Sequence, residues 1–202
     1  MRIVAEPLTR ASFAAFGSVI KVPTSSDADS ICSSANQSSA AKYSPISVLG
    51  HSYAKADNVQ PVMSLFHCNP RALSTASDQS IYTLSLLERH AHTTQTFIPM
   101  GLSPLDTQTR FLVIVAPYQL NEDRPDWTKV RAFVARGNQG VTYGVGVWHA
   151  PMVVVGTEKV LFPVLMWNNS VPEDKCTECE VRDGVDQDVQ VVVPLSSVAA
   201  KL

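Results

Sequence analysis

Ten short apolar runs, separated by Gly, Pro, Asn and other turn residues, fill the chain from residue 46 onward: ISVLG, VMSLFHC, IYTLSLLERH, TFIPM, TRFLVIVAP, VRAFVAR, GVTYGVGVWH, PMVVVG, VLFPVLMWN and VQVVVP. β-Branched and aromatic side chains dominate them, and they are too short for helices of ordinary length. Short strands at this spacing close into a sandwich, jelly roll or barrel, because antiparallel neighbours need only turns between them. A parallel α/β sheet would need a helical crossover after each strand, and no such pattern recurs. An all-β barrel is therefore expected. At 202 residues one core accounts for the whole chain, so 1–202 is read as one domain.

The first residues, EPLTRASFAAFGSVI, read as a strand followed by a short helix. Thr9 or Ser12 caps it, Phe13 and Phe16 share its apolar face, and Gly17 ends it. A weaker helical signal surrounds DWTKVRAFV, with Asp126 or Asp123 as cap. From about 23 to 42 the composition turns to Ser, Ala and Asp, which predicts a surface loop or insertion. The tail runs from about 170 to 202. Charged residues are 17% of the chain and the formal charge is −2, with no basic stripe, so nucleic acid is excluded as a partner. No apolar run reaches membrane-spanning length and no signal-peptide pattern is present, which predicts an intracellular protein without membrane association. Four cysteines are too few for a disulfide scaffold. Cys176 and Cys179 read as two thiols on a polar loop, since no second pair offers zinc ligands. Ala200-Lys201-Leu202 resembles a peroxisomal address, so the expected location is cytoplasmic or peroxisomal.

The sharpest local signal is LERHAHTTQTFIPM at 87–100. Strand alternation places Tyr82, Leu84, Leu86, Glu88, His90 and His92 on one face, apolar at its start and proton-active at its end. In GVTYGVGVWH, Tyr143, Val145, Val147 and His149 would share another, with Trp148 opposite. Trp148, Phe97 and Phe133 read as core. Asn138 and Gln139 read as turn-shaping. Two histidines one residue apart, Gln95 three residues on, and a distant His149 after a Gly-rich strand resemble the two cupin motifs. Such a set gathers a divalent metal through His90, His92 and His149, although Gln95 stands where a carboxylate is usual. A metal-dependent cupin dioxygenase and a non-catalytic cupin ligand-binding module both fit these residues.

At higher resolution, ERHAHTTQTFIPMG at 88–101, VRAFVARGNQGVTYGVGVWHAPM at 130–152 and the opening PLTRASFAAFGSVI resemble the ureidoglycolate lyase family. Its pattern runs E-R-H, Q-x-F-I-P, R-A-F, Q-G-V-x-Y and W-H-x-P. His92 departs from many members, which carry a non-ligating residue there. The resemblance implies a cupin-like jelly-roll barrel with a short N-terminal helix, commonly a homodimer, that cleaves ureidoglycolate to glyoxylate and urea in purine-ureide breakdown. A divalent metal would assist but not be obligatory. Eliminating urea needs a base, an acid and a clamp for the substrate carboxylate. His90 or Glu88 is the expected base and His149 its proton-transfer partner, with Gln95 and Tyr143 as orienting donors. Arg131 is preferred over Arg89 as the clamp, because strand alternation turns Arg89 away from Glu88 and His90.

Overall fold

The computed structural model describes residues 1–24, 32–54, 58–119, 122–172, 176–181 and 188–194. The C-terminal tripeptide lies outside them. The protein is nearly all β, with a single α-helix, Arg10–Phe13, among the described residues. That helix is short but well begun. Thr9 accepts from the Ser12 backbone while the Ser12 hydroxyl accepts from the Thr9 backbone, and Phe13 is driven into the core. None of the described helices is long and apolar enough to cross a membrane.

Three stacked sheets form the body. The central, seven-stranded one runs in the order Thr177–Glu180, Leu86–Arg89, Trp148–His149, Thr109–Ala116, Arg131–Arg136 and Glu6–Pro7, with Val153–Val154 also pairing with Thr109–Ala116. A five-stranded sheet, Gly17–Ile20, Gly140–Tyr143, Gln95–Phe97, Val160–Asn168 and Gln60–Cys68, covers one of its faces. A four-stranded sheet, Arg2–Val4, Val189–Val193, Gln79–Leu84 and Ser74–Ala76, covers the other. The strand TRFLVIVA is apolar from Phe111 to Ala116 because both faces of that stretch are buried. Phe111, Val113 and Val115 point into the interior shared with the five-stranded sheet, and Leu112, Ile114 and Ala116 point to the four-stranded one. The space between the seven- and five-stranded sheets is the interior of a cupin-like barrel. Phe97, Phe111 and Phe162 line it edge to face, and Trp148 and Phe133 are buried as expected.

Two sequence expectations, for IYTLSLLERH and for ISVLG, are corrected. The run IYTLSLLERH is two strands, Gln79–Leu84 and Leu86–Arg89, in different sheets. Ser85 lies between them and shifts the alternation by one, so Tyr82, Leu84 and Leu87 all reach the same core while Glu88 faces the barrel interior. The polar stretch 23–42 contains a hairpin, Cys32–Ala35 with Ala40–Tyr43, whose turn holds Asn36, Gln37 and Ser38 at positive φ. Short polar side chains tolerate that geometry. ISVLG forms no strand; it runs beside the five-stranded sheet, where Ser47 donates to the Thr142 hydroxyl at 2.9 Å. Around DWTKV the weak helical signal forms a 3-10 turn, Trp127–Lys129, with Asp126 as its cap, as expected.

Candidate active site

Glu88 and His149 are register partners on neighbouring antiparallel strands of the central sheet, so their side chains leave it on the same face. Gln95 and Tyr143 are partners in the sheet opposite. The two pairs meet across the barrel interior. The His149 ring stacks on Tyr143 with centroids 4.0 Å apart and planes at 15°. Its Nε2 is 2.9 Å from the Gln95 carboxamide and 3.7 Å from Glu88 Oε1. Tyr143 and His149 thus approach from different sheets, not as neighbours along one strand, because residues 144–147 form a turn between them. In that turn Gly146 has φ of 73° and donates its N–H to the His90 carbonyl at 2.9 Å, and a side chain there would strike the Tyr118 hydroxyl. The contact holds His90 beyond the end of its strand, with its ring centroid 6.0 Å from that of His149.

One ligand atom each from Glu88, His90 and His149 lies within 4.8 Å of the others. His92 is elsewhere. Strand alternation stops at Arg89, and in the turn that follows the His92 ring packs 5.4 Å from Tyr53. Arg131 is also set apart. It lies in the same register row as His149, with Val115 between them, roughly 10 Å away across two strand spacings. There it donates to Glu6 at 2.6 Å and to the Ser12 carbonyl at 3.0 Å. Arg89 faces the opposite side, as alternation predicts, bound to Tyr118 and Asp123.

Sequence reasoning missed Cys176 and Glu178. Glu178 is Glu88's register partner on its other flank, and the Cys176 thiol donates to Glu88 Oε2 at 3.9 Å. The segment is a strand, Thr177–Glu180, and not the expected polar loop. Nothing in the C-x-x-C spacing signals a partner 88 residues away.

Burial raises the Glu88 carboxyl, the Glu178 charge raises it further, and the Cys176 hydrogen bond opposes both. The carboxylate is therefore a stronger base than an exposed one. Burial pushes the Cys176 thiol up to about 11, helped by Glu88 and Glu178. Burial also drives the Tyr143 phenol well upward, with Glu88 adding to the effect, so it stays a hydrogen-bond donor. Its hydroxyl is buried and has no partner among the described residues. Burial lowers His149 to about 3, with the His90 charge adding and the Val147 carbonyl opposing.

His149 is accordingly neutral near pH 7. Nδ1 carries the proton, because its neighbour at 2.8 Å is the Val147 carbonyl, which can only accept. Nε2 is then an acceptor, so the Gln95 carboxamide must turn its NH2 toward the ring; with an oxygen there the ring would need two protons, which burial opposes. A neutral imidazole with its tautomer fixed from behind is also the form that ligates metals. Two imidazoles and a carboxylate therefore fit a divalent transition metal better than the three histidines expected, of which His92 is out of reach.

The ureidoglycolate lyase family model matches residues 1–188. The ureidoglycolate lyase of Schizosaccharomyces pombe is 37% identical over 199 residues, spanning 97% of this chain and 98% of that one. That of Saccharomyces cerevisiae is 36% identical over 199 residues, spanning 95% and 98%. That of Burkholderia cepacia is 34% identical over 150 residues, spanning 74% and 71%. A likeness that runs nearly end to end, through the strands that carry Glu88, Gln95, Tyr143 and His149, places this chain in the ureidoglycolate lyase family.

Proposed function

We propose that the protein is a carbon–nitrogen lyase that splits ureidoglycolate into glyoxylate and urea, in the breakdown of purine ureides. The observation that carries the reading is the convergence of Glu88, His90 and His149 within 4.8 Å, with the buried Tyr143 hydroxyl lacking a partner among the described residues. The substrate bears a hydroxyl, a carboxylate and a ureido nitrogen on one carbon. Its hydroxyl proton passes to the Glu88 carboxylate, the C–O bond becomes C=O, and the C–N pair leaves with the nitrogen. That nitrogen takes a proton from the acid member, and burial-raised Glu88 is suited to return the one it received. His90 is the second proton-active group at the reacting carbon. His149, neutral and fixed between the Val147 carbonyl and the Gln95 carboxamide, holds the arrangement. The Tyr143 hydroxyl gains the acceptor it lacks in a substrate oxygen, which puts its hydrogen bond to use only when substrate is present.

With Arg131 bound to Glu6, the carboxylate is recognised by Tyr143 and Gln95 in place of a guanidinium clamp. A divalent metal, when bound, would be held by Glu88, His90 and His149 and would polarise the substrate oxygens. The same donor set also serves non-haem iron oxygenases. Purified protein given ureidoglycolate should release urea and glyoxylate in equal amounts. Ammonia in place of urea, or oxygen uptake with substrate, would reassign the reaction.

A homodimer is the assembly that the surface supports. Gln60–Cys68 is an edge strand with no charged residue, the unguarded kind that pairs or is covered. On its outer face Met63 is 70% and Leu65 60% exposed, and their register partners Leu165 and Pro163 extend the apolar patch.

A further inference from the structure

A cavity of about 970 Å³ lies apart from the Glu88 group. It opens at the other end of the strands that build the active site. Gly140 and Ile98 line it, whereas Tyr143 and Gln95, three residues along the same two strands and roughly 10 Å away, carry the chemistry. Leu8, Leu102 and Val134 give it apolar walls. Lys21 and Arg136 supply its charge, and no Asp or Glu is among the lining residues. Neither cation has a carboxylate partner among the described residues, in contrast to Arg89, Arg110 and Arg131, which are all paired. Asp106, behind Gly137, is held by Arg110 at 2.6 Å and so does not neutralise the cavity.

Two cations without a carboxylate partner, and no acid, line this cavity among the described residues, so its lining favours an anion. The volume is that of a pocket for a drug-sized molecule, far more than a two-carbon acid with a ureido group fills. We propose that this cavity is a second ligand site, distinct from the catalytic one, for an organic anion with an apolar body. The anionic group lies between Lys21 and Arg136 and the body lies against Leu8, Leu102 and Val134.

The test uses 8-anilinonaphthalene-1-sulfonate, an aromatic anion, and N-phenyl-1-naphthylamine, the matching body without the sulfonate, titrated by fluorescence into the intact protein. The anion should bind one per chain and at least tenfold more tightly than the neutral probe. Lys21→Glu with Arg136→Glu should weaken the anion at least tenfold, leave the neutral probe unchanged and leave urea release intact. Met63→Ser with Leu65→Ser, which alters the exposed apolar patch on the Gln60–Cys68 edge strand, should leave the anion's affinity unchanged. Equal binding of the two probes to the native protein, undiminished anion binding in the double Glu variant, or loss of binding in the Ser variant would overturn the assignment. Should the double Glu variant not fold, Lys21→Ala and Arg136→Ala taken singly make the same comparison.

Discussion

A neutral, buried His149 makes the protein sensitive to acid in a calculable way. Its folded pKa is about 3 against 6.5 for an unperturbed imidazole. The folded value is the depressed one, so this group's stabilisation is present in full above pH 6.5. It is lost as pH falls toward 3, because the unfolded chain takes up a proton that the folded chain refuses. That difference sets a ceiling of about 5 kcal/mol, of which about 2 kcal/mol is lost by pH 5 and about 3 kcal/mol by pH 4. Against a domain stability of roughly 5–15 kcal/mol, that is a large share. Glu88 acts in the opposite sense: its raised pKa favours the fold when protonated, so its contribution is lost as pH rises through the folded pKa.

Urea unfolding of the native protein and His149→Gln at pH 7.5 and pH 5 isolates the imidazole, since the other titrating groups are shared. The native protein should lose about 2 kcal/mol more than the variant over that interval. Equal losses would refute the reasoning. So would an imidazole resonance of His149 titrating near 6.5 in the native protein, a measurement that stands even where the variant does not fold.

Glu88→Gln should lower kcat by about 10²-fold or more, the scale of a lost proton-transfer group, with melting temperature held or raised; near-normal turnover would remove Glu88 from the chemistry. His90→Ala should impair turnover far more than His92→Ala, whose ring packs on Tyr53, and equal losses measured side by side would restore His92 to the site. Tyr143→Phe keeps the stack on His149 but deletes a buried hydroxyl without a partner, so urea unfolding should show stability unchanged or raised by about 1 kcal/mol while kcat falls. Reduced stability with full activity would contradict that division. Met63→Lys with Leu65→Lys should give monomers by sedimentation, and an unchanged dimer would relocate the interface.

Strand periodicity made the barrel legible, because most strands expose one face to a core and the exceptions are apolar throughout. What it could not show was where the period breaks. Counting by twos groups Glu88 with Tyr82 and Leu84, yet it enters the barrel interior because Ser85 shifts the alternation between two sheets. A single polar residue in an otherwise continuous β pattern carries no mark of that shift. Counting residues along one strand pairs Tyr143 with His149, and they do meet, but through a turn that sends them to opposite sheets.

The site's electrostatics were less legible still, because they depend on contacts between distant parts of the chain. Arg131 has the chemistry of a carboxylate clamp and lies in the same register row as His149, but Glu6, 125 residues earlier, binds it first. Cys176 and Glu178 owe their place beside Glu88 to an edge strand that local composition reads as loop. That strand also gives Glu88 its character. A carboxyl flanked by Glu178 and a thiol on one side and by a neutral imidazole on the other is raised by burial and like charge at once. The basicity that proton abstraction requires thus comes from the packing of three strands, each of whose residues taken singly has an ordinary structural reading.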